Sequence, residues 1–309
     1  MLISRASETD ASNRMATMNF RGDPIGVFWE HASVWRKLKL LRIVGTLESP
    51  IARKYLSEMR SLQQSDGGFS RIPGETSSVS VTGEAIVTLA KSDGKSPMIG
   101  RAMSFLWKLQ NQNGGWHENP NTPRDLVPFW SSTEKGVPIL TADCIEAAVE
   151  AGYAADSHTI SGVKWMMGMQ SSSGMWLSIE GADPSDTEPD STQRAISALV
   201  KYGIPRSSNT VKKACNALER FISEEAGEWA KTHPPVWPWV AALDGLVAGG
   251  YSASEAAVQL ALTSILKLQQ EDGSWQNGYE VRVVPTLISL GVIPSEQALE
   301  IIEAKEQKT

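Results

Sequence analysis

A short turn motif recurs along this chain and constrains the fold more than any other feature of the sequence. A glutamine is followed four residues later by glycine and six residues later by an aromatic residue in the segments LQQSDGGF, LQNQNGGW, MQSSSGMW and LQQEDGSW. A degraded copy is predicted at Ser223, Gly227 and Trp229, and a weaker one at Gly26 and Phe28. Self-similarity of this kind is the signature of a repeat architecture.

Each intact copy lies between two stretches with helical periodicity, such as GRAMSFLWKLQ before it and LTADCIEAAVEAG after it. The glutamine is expected to cap one helix or to bridge to the next, and the glycine to adopt a left-handed backbone. The aromatic ring is expected to pack over the joint, with a tryptophan N–H directed at a carbonyl. The sequence therefore predicts an all-α chain of about twelve helices, which form either an open solenoid or a closed ring.

Composition excludes several classes of partner. The formal net charge is −6, without the basic stripe that binding to a nucleic acid requires. Cys144 and Cys215 form neither a disulfide framework nor a thiolate cluster, which favours a reducing, cytoplasmic location. No apolar run is long enough for a transmembrane segment, and the N-terminal residues do not read as a secretory signal. We expect an N-terminal extension over residues 1–20 and one domain over residues 21–309.

The four intact motifs resemble the QW repeats of squalene-hopene and oxidosqualene cyclases, so the chain resembles the terpenoid cyclase and protein prenyltransferase superfamily over residues 20–293. This resemblance implies an (α/α)6 toroid, in which six inner helices are ringed by six outer helices around a cavity at one end. Full squalene cyclases have two such barrels, whereas this chain has room for one.

The resemblance offers two catalytic variants. Prenyltransferase β-subunits carry a zinc site of Asp, Cys and His, and no histidine here stands in the matching place after Asp143-Cys144, so no metal site is expected. Class II terpene cyclases carry an Asp-x-Asp-Asp motif followed by Thr at the start of an inner helix, which Glu188-Pro-Asp190-Ser-Thr192 resembles. The resemblance makes Asp190 the proton donor, with Glu188 adjusting its acidity in place of the first Asp. Ser191 replaces the last Asp.

A carbocation must be sheltered from water and stabilised by aromatic faces. We expect Trp237, Trp239, Phe129 and Trp130 to line the substrate pocket. Three charged residues complete the expected substrate-binding set: Arg194, Asp143 and Asp244. Arg194 is notable because a cation is unfavourable near the N-terminus of a helix, which suggests a carboxylate or anionic partner.

Each of these residues also has a structural interpretation. Asp190 and Gln193 fit a helix cap and its capping-box partner, and Trp237 and Trp239 fit ordinary packing. Four further cations lie in or near the loops that join the turns to the inner helices, where a diphosphate could be clamped, although solvated surface charge is the favoured interpretation: Arg71, Arg124, Lys135 and Arg282.

The favoured function is a class II terpene cyclase-like enzyme that acts on an apolar isoprenoid without a cofactor, or with magnesium if the substrate is a diphosphate. A non-catalytic binding or scaffold protein on the same barrel is the main alternative, and a polysaccharide-active toroid is a further one. A partner subunit or a homo-oligomer is left open.

Overall fold

The computed structural model describes residues 20–308. The predicted extension therefore lies outside the described residues, apart from Phe20. The α-helices of the described chain are α1 (Pro24–His31), α2 (Val34–Ile43), α3 (Pro50–Ser61), α4 (Val79–Ser92), α5 (Pro97–Lys108), α6 (Pro138–Glu150), α7 (Ser157–Gly168), α8 (Pro189–Tyr202), α9 (Asn209–Arg220), α10 (Ala226–Thr232), α11 (Trp237–Ala248), α12 (Ala256–Lys267), α13 (Glu280–Ser289) and α14 (Ser295–Glu306).

The helices form two concentric rings. The inner ring consists of α2, α4, α6, α8, α11 and α13, in which each helix packs against the next and α13 packs back against α2. Outer helices α3, α5, α7, α9 and α12 each pack against an inner helix, while α14 packs against α1, which packs against α13. Closure of α13 onto α2 selects the ring over the open solenoid, so the predicted all-α toroid is confirmed.

The intact turns between outer and inner helices share one set of hydrogen bonds. In the second copy, the Gln110 side-chain amide donates to the Gly114 carbonyl at 2.9 Å and to the His158 carbonyl of α7 at 2.9 Å. Gly114 has a φ of +104°, and a Cβ there would lie 2.4 Å from the Ser161 carbonyl oxygen. The turn thus requires glycine both for its left-handed backbone and for its close approach to the next outer helix.

The motif tryptophan joins the same turn to the inner ring. Trp116 is buried; its indole N–H donates to the Leu106 carbonyl of α5 at 2.7 Å, and its backbone N–H donates to the Thr141 hydroxyl of α6 at 2.9 Å. Trp176 makes the equivalent bonds to the Met166 carbonyl and the Thr192 hydroxyl. The first-turn threonines of α6 and α8 are therefore structural hydrogen-bond acceptors.

A two-stranded hairpin follows the third turn and sets the start of α8. Strand β1 (Trp176–Leu177) pairs antiparallel with β2 (Thr187–Glu188), and Trp176 lies opposite Glu188. Pro189 occupies the first turn of α8, where its missing N–H costs nothing. The hairpin thus delivers Glu188 and Asp190 to the N-terminal end of an inner helix.

The two weak motif copies do not form turns, so those predictions are wrong. A π-helix spans Phe221–Glu225 and runs into α10, which carries Gly227 and Trp229. Ser223 holds the glutamine position, but its hydroxyl donates back to the Glu219 carbonyl at 2.8 Å and so cannot reach a neighbouring helix. Gly26 and Phe28 lie inside α1, which begins at Pro24 with Asp23 as its cap.

Candidate active site

Charged side chains of the inner helices meet at the hub of the ring. Asp190, in the first turn of α8, accepts a hydrogen bond from the indole N–H of Trp237 at 2.6 Å and forms an ion pair with Arg282 of α13. Arg282 also contacts Asp244 of α11 through its Nε at 3.3 Å, and Thr286 donates its hydroxyl to Asp244. One network therefore joins three inner helices around the Asp190 carboxylate.

A second set of ion pairs lies further around the ring. Arg194 contacts Asp143 of α6 at 3.2 Å, and the Ser80 hydroxyl of α4 donates to the other Asp143 oxygen at 2.7 Å. Glu84 of α4 lies 3.0 Å from a guanidinium nitrogen of Arg42 on α2. Arg194 thus has the carboxylate partner that its unfavourable position predicted.

An open cavity of about 700 Å³ lies against this second set. Asp143, Arg194, Phe129 and Trp130 line it, whereas Asp190, Glu188, Trp237, Trp239 and Asp244 are not among its lining residues. Asp190 precedes Arg194 by one helical turn and so lies on the same face of α8. The structure therefore divides the predicted site residues between the cavity wall and the adjoining hub network.

The loop from residue 117 to 137 borders the cavity. It supplies Asp125, Leu126, Val127, Pro128, Phe129 and Trp130 to the lining. Trp130 is partly buried against the core, while Phe129 is 98% exposed. The two predicted aromatic residues of this loop therefore differ in burial although both border the cavity.

The second predicted aromatic pair lies at the start of α11. Trp237 stacks on Trp229 with ring centroids 5.6 Å apart and lies 5.1 Å from the His233 ring, while its N–H is committed to Asp190. Trp239 is partly buried against the core. Trp237 is thus a hydrogen-bond partner of the candidate acid, which packing alone does not explain.

The two carboxyl groups at the start of α8 have opposite electrostatic environments. Burial by itself would raise the pKa of Asp190, but the charge and hydrogen bond of Arg282, the Trp237 N–H and the charge of Arg194 together lower it. Burial, together with the negative charges of Asp190 and Asp186, raises the pKa of Glu188 to about 7. Near neutral pH, Asp190 is therefore ionised and Glu188 is the group that can hold a proton.

Two sequence interpretations of this region are wrong. The N-cap of α8 is Glu188, and the Asp190 side chain bonds to other inner helices, so Asp190 is not a cap. Arg282 is only 22% exposed and is paired with two carboxylates, so it is not solvated surface charge. In both cases the partners lie tens of residues away in the sequence, and local patterns carry no signal for them.

Two cations of the cavity wall, Arg36 and Lys39, were not predicted. They lie three residues apart on α2, which, like α11, follows no intact turn motif. A signal exists in hindsight, because VWRKLKLLRI places both cations on one helical face while Leu38 and Leu41 are buried.

Neither a metal cluster nor a membrane span is found in the described residues. No group of three or more His, Cys, Asp or Glu side chains among residues 20–308 could hold a metal ion. Cys144 is buried, and burial raises the pKa of its thiol well above the usual value. No described helix combines the length and the apolar character needed to cross a bilayer.

The chain is similar in sequence to terpenoid cyclases. Residues 36–182 match the family model of the squalene-hopene cyclase C-terminal domain. A segment of 90 residues is 32% identical to drimenyl diphosphate synthase of Streptantibioticus cattleyicolor, covering 28% of this chain and 16% of that protein. The match therefore spans about one sixth of the relative's length.

Solved structures share the fold at low sequence identity. A protein from Actinoplanes superposes with a TM-score of 0.59 at 16% identity, covering 87% of this chain and 90% of that one. One variant of the type II terpene cyclase MstE from Scytonema, in complex with geranylgeranyl dihydroxybenzoate, gives a TM-score of 0.56 at 16% identity over 78% of this chain and 70% of that one. A variant of MstE bound to its product, merosterolic acid A, gives 0.58 at 14% identity over 92% and 97%.

Proposed function

We propose that this chain, a relative of the terpenoid cyclases in sequence and fold, is a class II terpene cyclase-like enzyme that starts isoprenoid cyclisation by protonating an alkene or an epoxide. The observation that carries the proposal is the Asp190 carboxylate, which is held by Arg282 and Trp237 beside an open cavity. About one fifth of the Asp190 side-chain surface is accessible, and Arg194, one turn further along α8, lines the cavity.

The donors around Asp190 suit the release of a proton. Protonating an alkene needs a strong acid, and an acid is strengthened by whatever stabilises its conjugate base. Arg282 and Trp237 can only donate hydrogen bonds, so both stabilise the carboxylate that remains after transfer. Asp190 is therefore the group that delivers the proton.

Glu188 supplies the proton that Asp190 holds only rarely. Its pKa of about 7 keeps it partly protonated at neutral pH, and the charge of Asp190 contributes to that shift. The two carboxyl groups act as one site that holds a single proton, with Glu188 as the reservoir and Asp190 as the stronger acid. A difference in pKa between two neighbouring carboxyl groups recurs in enzymes that use acid catalysis.

The test is turnover by the purified chain with farnesyl diphosphate, geranylgeranyl diphosphate, geranylgeranyl dihydroxybenzoate and squalene. We expect a cyclic product from at least one substrate, loss of product in Asp190→Asn, and a slower reaction with an altered pH profile in Glu188→Gln. Lys212→Gln, an exposed change on an outer helix, is the control for handling and folding. Equal product from wild type and Asp190→Asn would refute the assignment of the acid.

One observation favours the alternative of a binding protein. The inner-helix wall of the cavity is charged, whereas a carbocation chamber is expected to be apolar and aromatic. A binding protein would retain ligand affinity in Asp190→Asn and Glu188→Gln and would turn over none of the four substrates. Glu84, Asp143 and Asp244 are each paired with an arginine, so these three acids do not supply the free pair that a polysaccharide-active site needs.

We also propose a location, a metal requirement and an assembly state for this chain. We infer a cytoplasmic location from Cys144 and Cys215, which are both free and buried. A magnesium ion would be needed only for a diphosphate substrate, and a partner subunit or homo-oligomer is compatible with the fold.

A further inference from the structure

The wall of the cavity carries more positive than negative charge after its ion pairs are assigned. Four cations, Arg36, Lys39, Arg71 and Arg194, line the cavity beside three carboxylates, Glu84, Asp125 and Asp143. Arg194 is paired with Asp143, and Glu84 is paired with Arg42. What remains is three cations against Asp125 alone.

Arg36 and Lys39 are the cations of this wall that lie on the inner ring without a partner. Among residues 20–308, neither side chain has a hydrogen-bond or ion-pair partner, although all the other hub arginines do. They lie one turn apart on α2, so both project from one face of that helix into the cavity. Two convergent cations in a concave site are the geometry that binds an anion.

Their surroundings disfavour the charge that they carry. Burial lowers the pKa of Arg36, and it lowers the pKa of Lys39 to about 8, with the charge of Arg194 acting in the same direction on both. Buried charges in proteins are normally paired. A bound anion would supply the missing partner and reverse both shifts.

Part of the lining of the same cavity is apolar. Leu126, Val127, Pro128, Phe129 and Trp130 of the 117–137 loop border it beside Asp125, together with Trp35 of α2. A volume of about 700 Å³ is within the range of small-molecule sites. A cavity whose lining is cationic in one part and apolar in another matches an amphipathic molecule, which has a charged end and an apolar end.

We infer that the cavity binds an amphipathic molecule whose anionic head group, a phosphate or a carboxylate, is held by Arg36 and Lys39 while its apolar part lies against residues 126–130. The inference names the substrate class of the proposed enzyme and so rests on that function for its chemistry. Binding is nevertheless measurable without turnover, so the binding inference and the proposed catalytic function can be tested separately.

The experiment compares three ligands that share one tail, namely farnesyl diphosphate, farnesoic acid and farnesol, by calorimetric titration of the full chain. We expect at least one anionic ligand to bind about tenfold or more tightly than farnesol, because charge-assisted hydrogen bonds to two cations are added. The diphosphate and carboxylate arms show which head group the site prefers. The preference should weaken as salt concentration rises.

Variants assign the effect to the two cations. Arg36→Gln and Lys39→Gln should each weaken binding of the anionic ligand about tenfold and leave farnesol binding unchanged. Lys212→Gln, which removes an exposed cation from α9, should change neither. Circular dichroism and thermal melting of each variant verify that the fold is retained.

The outcomes separate the inference from the proposed function. Asp190→Asn should keep the anion preference while losing turnover, so loss of turnover with intact binding bears only on catalysis. Farnesol binding as tightly as both anionic ligands would overturn the inference, and so would unchanged anion binding in folded Arg36→Gln and Lys39→Gln proteins. A head-group preference that disappears in these variants would support it even if no substrate is converted.

Discussion

Replacement of Glu188 by Gln should remove a pH-dependent loss of stability from the protein. Burial and the charges of Asp190 and Asp186 raise the pKa of Glu188 from an ordinary value of 4.5 to about 7. The folded state therefore binds a proton that the unfolded state releases at lower pH. The stabilising effect of the proton on Glu188 is fully present below about pH 4.5 and is lost as the pH rises through about 7.

The magnitude follows from the size of the shift. A rise from 4.5 to about 7 corresponds to about 3 kcal/mol. Because Glu188 is only partly buried, solvent screening reduces the expected effect to about 2 kcal/mol. Wild type should lose about 2 kcal/mol more free energy of unfolding than Glu188→Gln between about pH 5 and about pH 8.

Urea unfolding at the two pH values, followed by far-UV circular dichroism, measures this difference. Glu271→Gln, a change at an exposed turn residue, should follow wild type. Asp190→Asn should reduce the difference in part, because the Asp190 charge is one cause of the Glu188 shift. If wild type and Glu188→Gln lose stability in parallel over this range, the idea that Glu188 holds the proton is refuted.

Three further changes test the fold and the hub. Trp176→Phe removes the 2.7 Å bond to the Met166 carbonyl and should cost about 1–3 kcal/mol by urea unfolding; a cost near zero would contradict the role of the indole N–H. Gly114→Ala should cost more than about 2 kcal/mol because of its positive φ and close contact, while Gly100→Ala, with no neighbour within 4 Å, should be neutral or stabilising; equal effects would contradict the steric argument. Arg282→Gln should cost about 3 kcal/mol and raise the pKa of Asp190, which ¹³C NMR of the carboxyl carbon can follow; an unmoved titration would exclude Arg282 as its cause.

The sequence predicts the ring well where the determinants are local. A left-handed glycine, a glutamine that donates to the carbonyl of that glycine and the apolar periodicity of the flanking helices act within a few residues, and the intact turns form as expected. Residues 221–232 lack the glutamine, so Gly227 alone does not stop the helix. The prediction failed there because a glycine and a tryptophan without their anchoring side chain do not specify a turn.

The sequence predicts the site only in part, because its partners meet through ring closure. Asp190 was identified from its place in a motif, but its donors are 47 and 92 residues further along the chain. Nothing in the neighbourhood of Arg282 indicates that it faces two carboxylates. Arg36 and Lys39 share one face of α2, but the cavity that they line also takes residues from α4, α6 and α8, which come together only in the ring.

The segment that departs most from the repeat lies beside the candidate acid. In the intact copies, the motif indoles of Trp116, Trp176 and Trp275 each donate to a carbonyl of the preceding outer helix and are fully buried. Trp229 belongs to the degraded copy; it leaves this position and stacks on Trp237, which donates to Asp190.

Local rules are most often broken where a chain uses a residue for something other than folding, and π-helical segments such as 221–225 are frequent at functional sites. Loss of the fifth turn therefore frees the Trp229 indole to stack on Trp237, which donates to Asp190, and so connects this irregular repeat with the proposed chemistry.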